Sequence, residues 1–264
     1  EADQIVQEVE QLVASGVQEV TLLGQNVNSY GQDRGDLDFA GLLKRVSQTG
    51  IPRIRFMTSH PKDLSDALIE QMAVNANICP HLHLPVQSGS NAILGAMNRR
   101  YTVETYLQRV DSLRRAVPHI GLTTDLIVAF PGETEQDFED TLALVRHVRF
   151  DSAFTFVYSP RVGTKAASMP GQIPPEVGNQ RIERLIALQE GITTDVLNSL
   201  FGSTQHVLVD GTARRREHLT GKSGRNISVN FPGDTALIGR IVPVTITGAG
   251  SNTLRGRIQE GETP

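Results

Sequence analysis

The stretch that decides the fold is residues 121–148, GLTTDLIVAFPGETEQDFEDTLALVRHV. Its first ten residues read as a buried strand, a short apolar run that stops abruptly at Pro131-Gly132. Thr134 then opens a helix with Asp137 three residues on, the spacing of a capping box, and Phe138, Leu142 and Val145 share one helical face. An apolar strand handed straight to an amphipathic helix is the repeating unit of a parallel sheet with helices packed against it.

The unit recurs on both sides. Upstream, residues 3–16 place Ile5, Val6, Val9, Leu12 and Val13 on one helical face with Gly16 as the expected stop, and EVTLLG (19–24) reads as a strand. Helices over 37–48 and 63–74, strands over 53–58 and 81–86, a helix opened by Ser90 and another over 102–116 follow. Strand 153–158 closes the series. Five strands alternating with helices predict either a barrel or a doubly wound sheet. Because the series starts on a helix, a preceding strand and loop are expected to be missing.

Pro160, Pro170, Pro174 and Pro175 mark a connector over 160–180, and a polar amphipathic helix over about 176–198 leads out of it. From Thr204 the pattern becomes short alternating strands over 205–213, 218–223, 227–231, 240–249 and 253–258, separated by Gly and Asn turns. That spacing predicts a small closed β-barrel of the OB-like kind.

Composition narrows the function classes. A chain of 264 residues with 39% hydrophobic content can build a sizeable core, and no apolar run approaches the ~18 residues that cross a bilayer, so no membrane contact and a cytoplasmic location are expected. The single cysteine, Cys79, excludes an internal disulfide and cannot alone supply a thiolate cluster. Charge is uneven: residues 1–202 carry 17 basic against 24 acidic side chains, residues 203–258 carry 8 against 3. The basic C-terminal module is therefore the part expected to meet a polyanion. The chain opens on Glu1 without a methionine, as either a fragment or a chain whose first residues are not included would.

Ligands of parallel α/β folds sit at the C-terminal ends of the strands. Here those ends read Gly24-Gln25-Asn26-Val27-Asn28, Thr58-Ser59-His60-Pro61, Pro85-Val86-Gln87-Ser88-Gly89-Ser90, Pro131-Gly132-Glu133 and Tyr158-Ser159-Pro160-Arg161. Amides and hydroxyls dominate and general acids and bases are scarce, which suits holding a zwitterionic, multi-hydroxyl ligand. Taken singly, each loop reads first as helix caps and turns, and the ligand reading rests on five such loops sharing one face. His81 and His83 alternate with leucines along a strand and lack an acidic partner at ligand spacing, so no metal site is expected there.

GQNVNSYG, FMTSHPKDL, HLHLPVQSGS, DLIVAFPGET and FVYSPRVGTKAA, in this order and followed by SGRNISVNF in a basic β-domain, resemble the MiaB-type tRNA methylthiotransferases of the radical S-adenosylmethionine superfamily. The resemblance implies an α/β fold: a truncated radical SAM core over 1–170, a partial (β/α)6 barrel without its first strand. A connector and helix over 171–200 and an OB-like TRAM barrel over 201–260 follow. It implies methylthiolation of C2 of N6-isopentenyladenosine at tRNA position 37, with S-adenosyl-L-methionine as cofactor and two [4Fe-4S] clusters in full-length members. The CxxxCxxC cluster loop and the N-terminal domain have no counterpart here, so no catalytic residue and no metal ligand is expected in this chain. Methylthiolation of a ribosomal-protein aspartate, or an RNA-binding scaffold without catalysis, are the alternatives.

Site residues follow from the same resemblance. Gly24, Gln25 and Asn26 would meet the methionyl ammonium, Gln87 and Asp125 the ribose hydroxyls, and Arg99 the methionyl carboxylate, where a guanidinium fork makes two parallel bonds. Arg99 could instead pair with Glu104. Ser59, Ser88 and the backbone of Ala129, Phe130, Pro131 and Gly132 complete the expected cofactor set. Arg161 would reach substrate, and Arg214, Arg215, Arg216, Lys222, Arg225, Arg255 and Arg257 would neutralise RNA phosphates. The partner is expected to be tRNA and not DNA, and the protein a monomer. Phe231 is the aromatic side chain of the β-run, so base choice is expected in the larger barrel's mouth.

Overall fold

The computed structural model describes residues 1–31, 37–57, 60–213 and 218–259. Five strands, β1 (Glu19–Leu22), β2 (Arg53–Phe56), β3 (His81–His83), β4 (Gly121–Val128) and β5 (Ser152–Val157), form the larger unit. β1 pairs with β2, and β4 lies between β3 and β5, all parallel. Ile78, just before β3, bridges to Ile54 of β2, with the Cys79 N–H donating to the Ile54 carbonyl at 2.9 Å. The strands therefore follow one another in chain order around a curved sheet, which is an incomplete barrel and not a doubly wound sheet, whose order reverses at a switch point.

Helices α1 (Ala2–Ala14), α2 (Phe39–Ser47), α3 (Asp66–Val74), α4 (Asn91–Ala96), α5 (Val103–Ala116) and α6 (Glu135–Val148) alternate with the strands. Their starts are set by side-chain caps: Ser90 Oγ accepts from the Ile93 N–H, and Thr134 and Asp137 form a reciprocal capping box. β3 is shorter than the predicted strand over 81–86. Leu84 N–H still donates to Thr123 O, but Pro85 has no amide to continue the ladder.

β4 alternates as a half-buried strand must. Leu122, Thr124, Leu126 and Val128 are buried, whereas Thr123, Asp125 and Ile127 are only partly covered on the inner face. The register sets Asp125 beside Phe154 and Ile127 beside Phe156 of β5.

Helix α7 (Pro175–Ser199) packs along β5 and α6. Gly178 permits that approach, since a Cβ there would lie 3.0 Å from Val157 Cγ1. Leu185 and Ile192 belong to the larger core and Leu197 to the smaller, so α7 has a foot in each. β6 (Thr204–Thr212), β7 (His218–Ser223), β8 (Ser228–Pro232), β9 (Ile241–Ala249) and β10 (Thr253–Ile258) close into a barrel ordered 10-8-7-6-9 around Val207, Val229, Phe231, Val244 and Leu254.

The small barrel docks against the N-terminal ends of the parallel strands. Arg53 donates to the carbonyls of Lys222, at 2.9 Å, and His206; Arg55 donates to Gly224 O at 3.0 Å and Ser223 O at 2.7 Å. Glu19 neutralises this pair, 2.9 Å from Arg55 Nε. Among the described residues no helix is long and apolar enough to cross a membrane.

Candidate functional site

At the opposite, C-terminal ends of β3, β4 and β5 lies a cavity of about 910 Å³. Gln87, Arg99, Asp125, Phe130 and Arg161, five of the residues singled out in the sequence, share its wall with Tyr158. Gln87 is held there by the backbone: its N–H donates to Asp125 O at 2.9 Å and its carbonyl accepts from Ile127 N–H at 2.9 Å. Its φ is +72°, a conformation a non-glycine residue adopts at a cost and one that clusters at ligand sites.

Among the described residues, two buried polar atoms in this wall have no hydrogen-bond partner. Arg99 Nε and Tyr158 Oη are buried without a hydrogen bond. The alternative pairing of Arg99 with Glu104 is not made, because Glu104 is held at 3.1 and 3.0 Å by Asn91 Nδ2. Buried donors left unpaired are costly, so a wall that holds two is shaped for an acceptor supplied from outside. Asp125 Oδ1 is 3.5 Å from His83 Nε2, and His83 Nδ1 is 3.0 Å from Thr123 Oγ1.

The turn after β4 is rigidly built. Ala129 has φ +58° and Gly132 φ +84°, and the Glu133 carboxylate turns back to accept the Ala129 N–H at 2.8 Å. Arg181 of α7 reaches the same oxygen at 2.6 Å, both side chains being buried. Burial pushes the Glu133 carboxyl upward, opposed by the Ala129 bond and Arg181. Phe130 meets Tyr158 edge to face at 5.1 Å, and Gly132 N–H donates to Gly171 O. Pro131 is buried in this turn. Nothing in the residue pattern announced Arg181, because a helical period reports which face is buried and not a partner 48 residues away.

Other sequence expectations land elsewhere. Ser88 is fully buried and faces α6, its Oγ 3.3 Å from Thr141 Oγ1, so it fixes the loop and does not line the cavity. Gly89 makes that contact close: a Cβ there would sit 2.5 Å from Asp140 O. Gly24 and Gln25 are exposed at the end of β1, and Asn26 donates to Asp63 Oδ2 at 2.6 Å. Ser59 lies outside the described residues, as do Arg214, Arg215 and Arg216.

Arg225 needs correction as a phosphate contact. It grips Asp151 with Nε at 3.0 Å and Nη2 at 2.7 Å, beneath the start of β4, as part of the junction between the barrels. Lys222 is half-buried with Nζ on Ser228 Oγ at 2.8 Å, whereas Arg255 and Arg257 alternate outward on β10 and are exposed. Phe231 is fully buried in the small barrel's core.

Residues 199–258 match the TRAM domain. The chain is 51% identical over 262 residues to the tRNA-2-methylthio-N(6)-dimethylallyladenosine synthase of Moorella thermoacetica, covering 98% of this chain and 59% of that protein. It is 53% identical to the protein of the same name from Carboxydothermus hydrogenoformans, covering 93% of this chain and 56% of that protein. The chain thus spans rather more than half the length of these curated relatives. Among solved structures, coproporphyrinogen III oxidase from Escherichia coli, a radical SAM enzyme, superposes with a TM-score of 0.53 at 16% identity, over 72% of this chain and 46% of that one, a likeness of fold alone. Residues 1–145 match the Radical SAM superfamily, and, with its incomplete parallel barrel, the chain belongs to that superfamily.

Proposed function

We propose that this chain forms the cofactor-holding and RNA-holding parts of a tRNA methylthiotransferase that modifies C2 of N6-dimethylallyladenosine at tRNA position 37. The names of the relatives at 51% and 53% identity support that reading over one on a ribosomal-protein aspartate. The observation that carries the cofactor half is the pair of orphaned buried donors, Arg99 Nε and Tyr158 Oη, in the cavity that also holds Gln87 and Asp125.

S-adenosylmethionine fits this donor set. Arg99 would take the methionyl carboxylate with its planar fork, Asp125 and Gln87 the ribose hydroxyls, and Phe130 with the flat turn from Ala129 to Gly132 the adenine. When bound, the cofactor supplies a sulfonium whose one-electron cleavage begins the superfamily's chemistry. This chain's own residues bind and orient; the His83 contact and the backbone lock on Gln87 hold the ribose-facing groups in place before any ligand arrives.

An iron–sulfur cluster does not fit the residues present. Cys79, the single cysteine, is buried between the barrels near Arg53 and Pro80, away from the cavity, and burial pushes its thiol up. Among the described residues no group of His, Cys, Asp and Glu could hold a metal ion. Two [4Fe-4S] clusters, a monomeric state and a cytoplasmic location therefore belong to the proposal for the longer protein. So does RNA binding through the TRAM barrel, with Arg255 and Arg257 as exposed cations and Arg161 at the cavity rim.

The test is calorimetric binding of S-adenosylhomocysteine to the full-length, cluster-loaded protein. Arg99→Ala and Asp125→Ala are each expected to weaken binding at least ~10-fold, the loss of one charge-assisted contact. Unchanged affinity in both removes the assignment.

A further inference from the structure

We propose that Phe154 and Phe156, on the inner face of β5, seat the substrate purine together with an apolar five-carbon substituent on its N6, an inference that rests on the methylthiotransferase reading. Inward positions of a parallel barrel are ordinarily packed against one another. Here Phe154 is 60% exposed and Phe156 52% exposed, among the barest large apolar side chains of the larger unit. Residues two apart on a strand share a face and stand about 7 Å apart, so one ring can face a base while the next takes its substituent.

The shelf adjoins the cofactor's polar groups in the same cavity and differs from them in chemistry. Phe156 lines the cavity beside Ile127, its register partner on β4, and Met169. Phe154 lies one step deeper, beside Asp125 in register and edge-on to His83 at 6.1 Å. Gln87, Arg99 and Tyr158 at the strand ends carry the hydrogen-bonding capacity; the shelf has aromatic and aliphatic surface. An alkenyl group and a π-face are the ligand chemistry such a surface stabilises.

The small barrel cannot supply this function with the aromatic of its β-run. Phe231 is buried at its centre, and its exposed Arg255 and Arg257 can hold phosphates without reading a base. An unstacked base is held by stacking on an aromatic or guanidinium plane, and β5 presents two bare aromatic rings. An adenosine lacking the substituent would forfeit the apolar contact.

The experiment uses the full-length protein and two anticodon stem-loop RNAs, one carrying N6-dimethylallyladenosine and one unmodified adenosine, titrated by fluorescence anisotropy at one salt concentration. Wild type is expected to prefer the alkylated RNA by about 10-fold or more, the scale on which apolar pockets discriminate. Phe154→Ala and Phe156→Ala should bring that ratio towards one while S-adenosylhomocysteine affinity stays within about twofold and Phe156→Leu keeps part of the preference. Variants that retain the full ratio overturn the proposal, as does loss of S-adenosylhomocysteine binding in its place, which would assign the rings to the cofactor's adenine. A wild type that binds the two RNAs equally also overturns it. A wild type that binds neither RNA fails the methylthiotransferase reading itself, an outcome distinct from the others.

Discussion

His81 lies in β3 with Nε2 3.2 Å from Thr123 Oγ1, and burial, reinforced by Arg55, pushes its imidazole down to about 3. The folded protein therefore keeps it neutral, while the unfolded chain takes up a proton below about pH 6.5. Its contribution to stability is complete above that pH and is lost as pH falls towards 3. At pH 5 the loss from this one group is about 2 kcal/mol. Urea unfolding at pH 7 and pH 5 should show wild type losing more stability than His81→Phe by that order; equal losses would contradict the burial argument. At the same scale, Gln87 and Ser88 show what a sequence can and cannot carry. Strand order placed both at the ligand end of β3, and Gln87 does line the cavity. Ser88, one residue on, turns to the opposite side and bonds Thr141 Oγ1, an orientation decided by the positive φ of Gln87 and not by composition.

Helix α7 is the element that ties the cavity end of the larger barrel to the small one. Arg181 in its second turn clamps Glu133 and so the turn from Ala129 to Gly132. Arg181→Met would leave the buried Glu133 carboxylate unpaired, at a cost of about 3–5 kcal/mol near neutral pH. Burial already raises this carboxyl, and loss of Arg181 would raise it further, so the penalty should shrink as pH falls and Glu133 becomes protonated. Denaturation at pH 8 and pH 5, with amide exchange over residues 129–134, checks both parts; a penalty independent of pH would rule out the uncompensated charge as its cause. The capping box at Thr134 was legible because its spacing is local. The clamp was not, since Arg181 reads as one more polar residue of an amphipathic helix until the fold brings α7 onto β5.

For the whole molecule, the two barrels meet at the end of the sheet opposite the cavity, so cavity and docking surface do not compete for the same strand ends. The strand–helix alternation and the five short strands made both units readable from the sequence. Their junction was hidden, because Arg53, Arg55 and Arg225 look in composition like surface cations although their guanidinium groups are spent on backbone carbonyls and on Asp151. Cations that touch phosphate and cations that hold the barrels together should separate by salt dependence. Each phosphate contact removed lowers the magnitude of the slope of log K against log salt by about 1. Arg255→Ala and Arg257→Ala in the full-length protein should each flatten tRNA binding in this way with stability almost unchanged, as exposed side chains. Arg225→Ala should leave the slope where it is and instead cost about 3 kcal/mol in urea unfolding, because it strands Asp151, which is 9% exposed and whose carboxyl burial already raises. A flattened slope with intact stability in Arg225→Ala would return this residue to the RNA-facing surface, and the SGRN turn would then be a contact loop and not the wedge between the barrels.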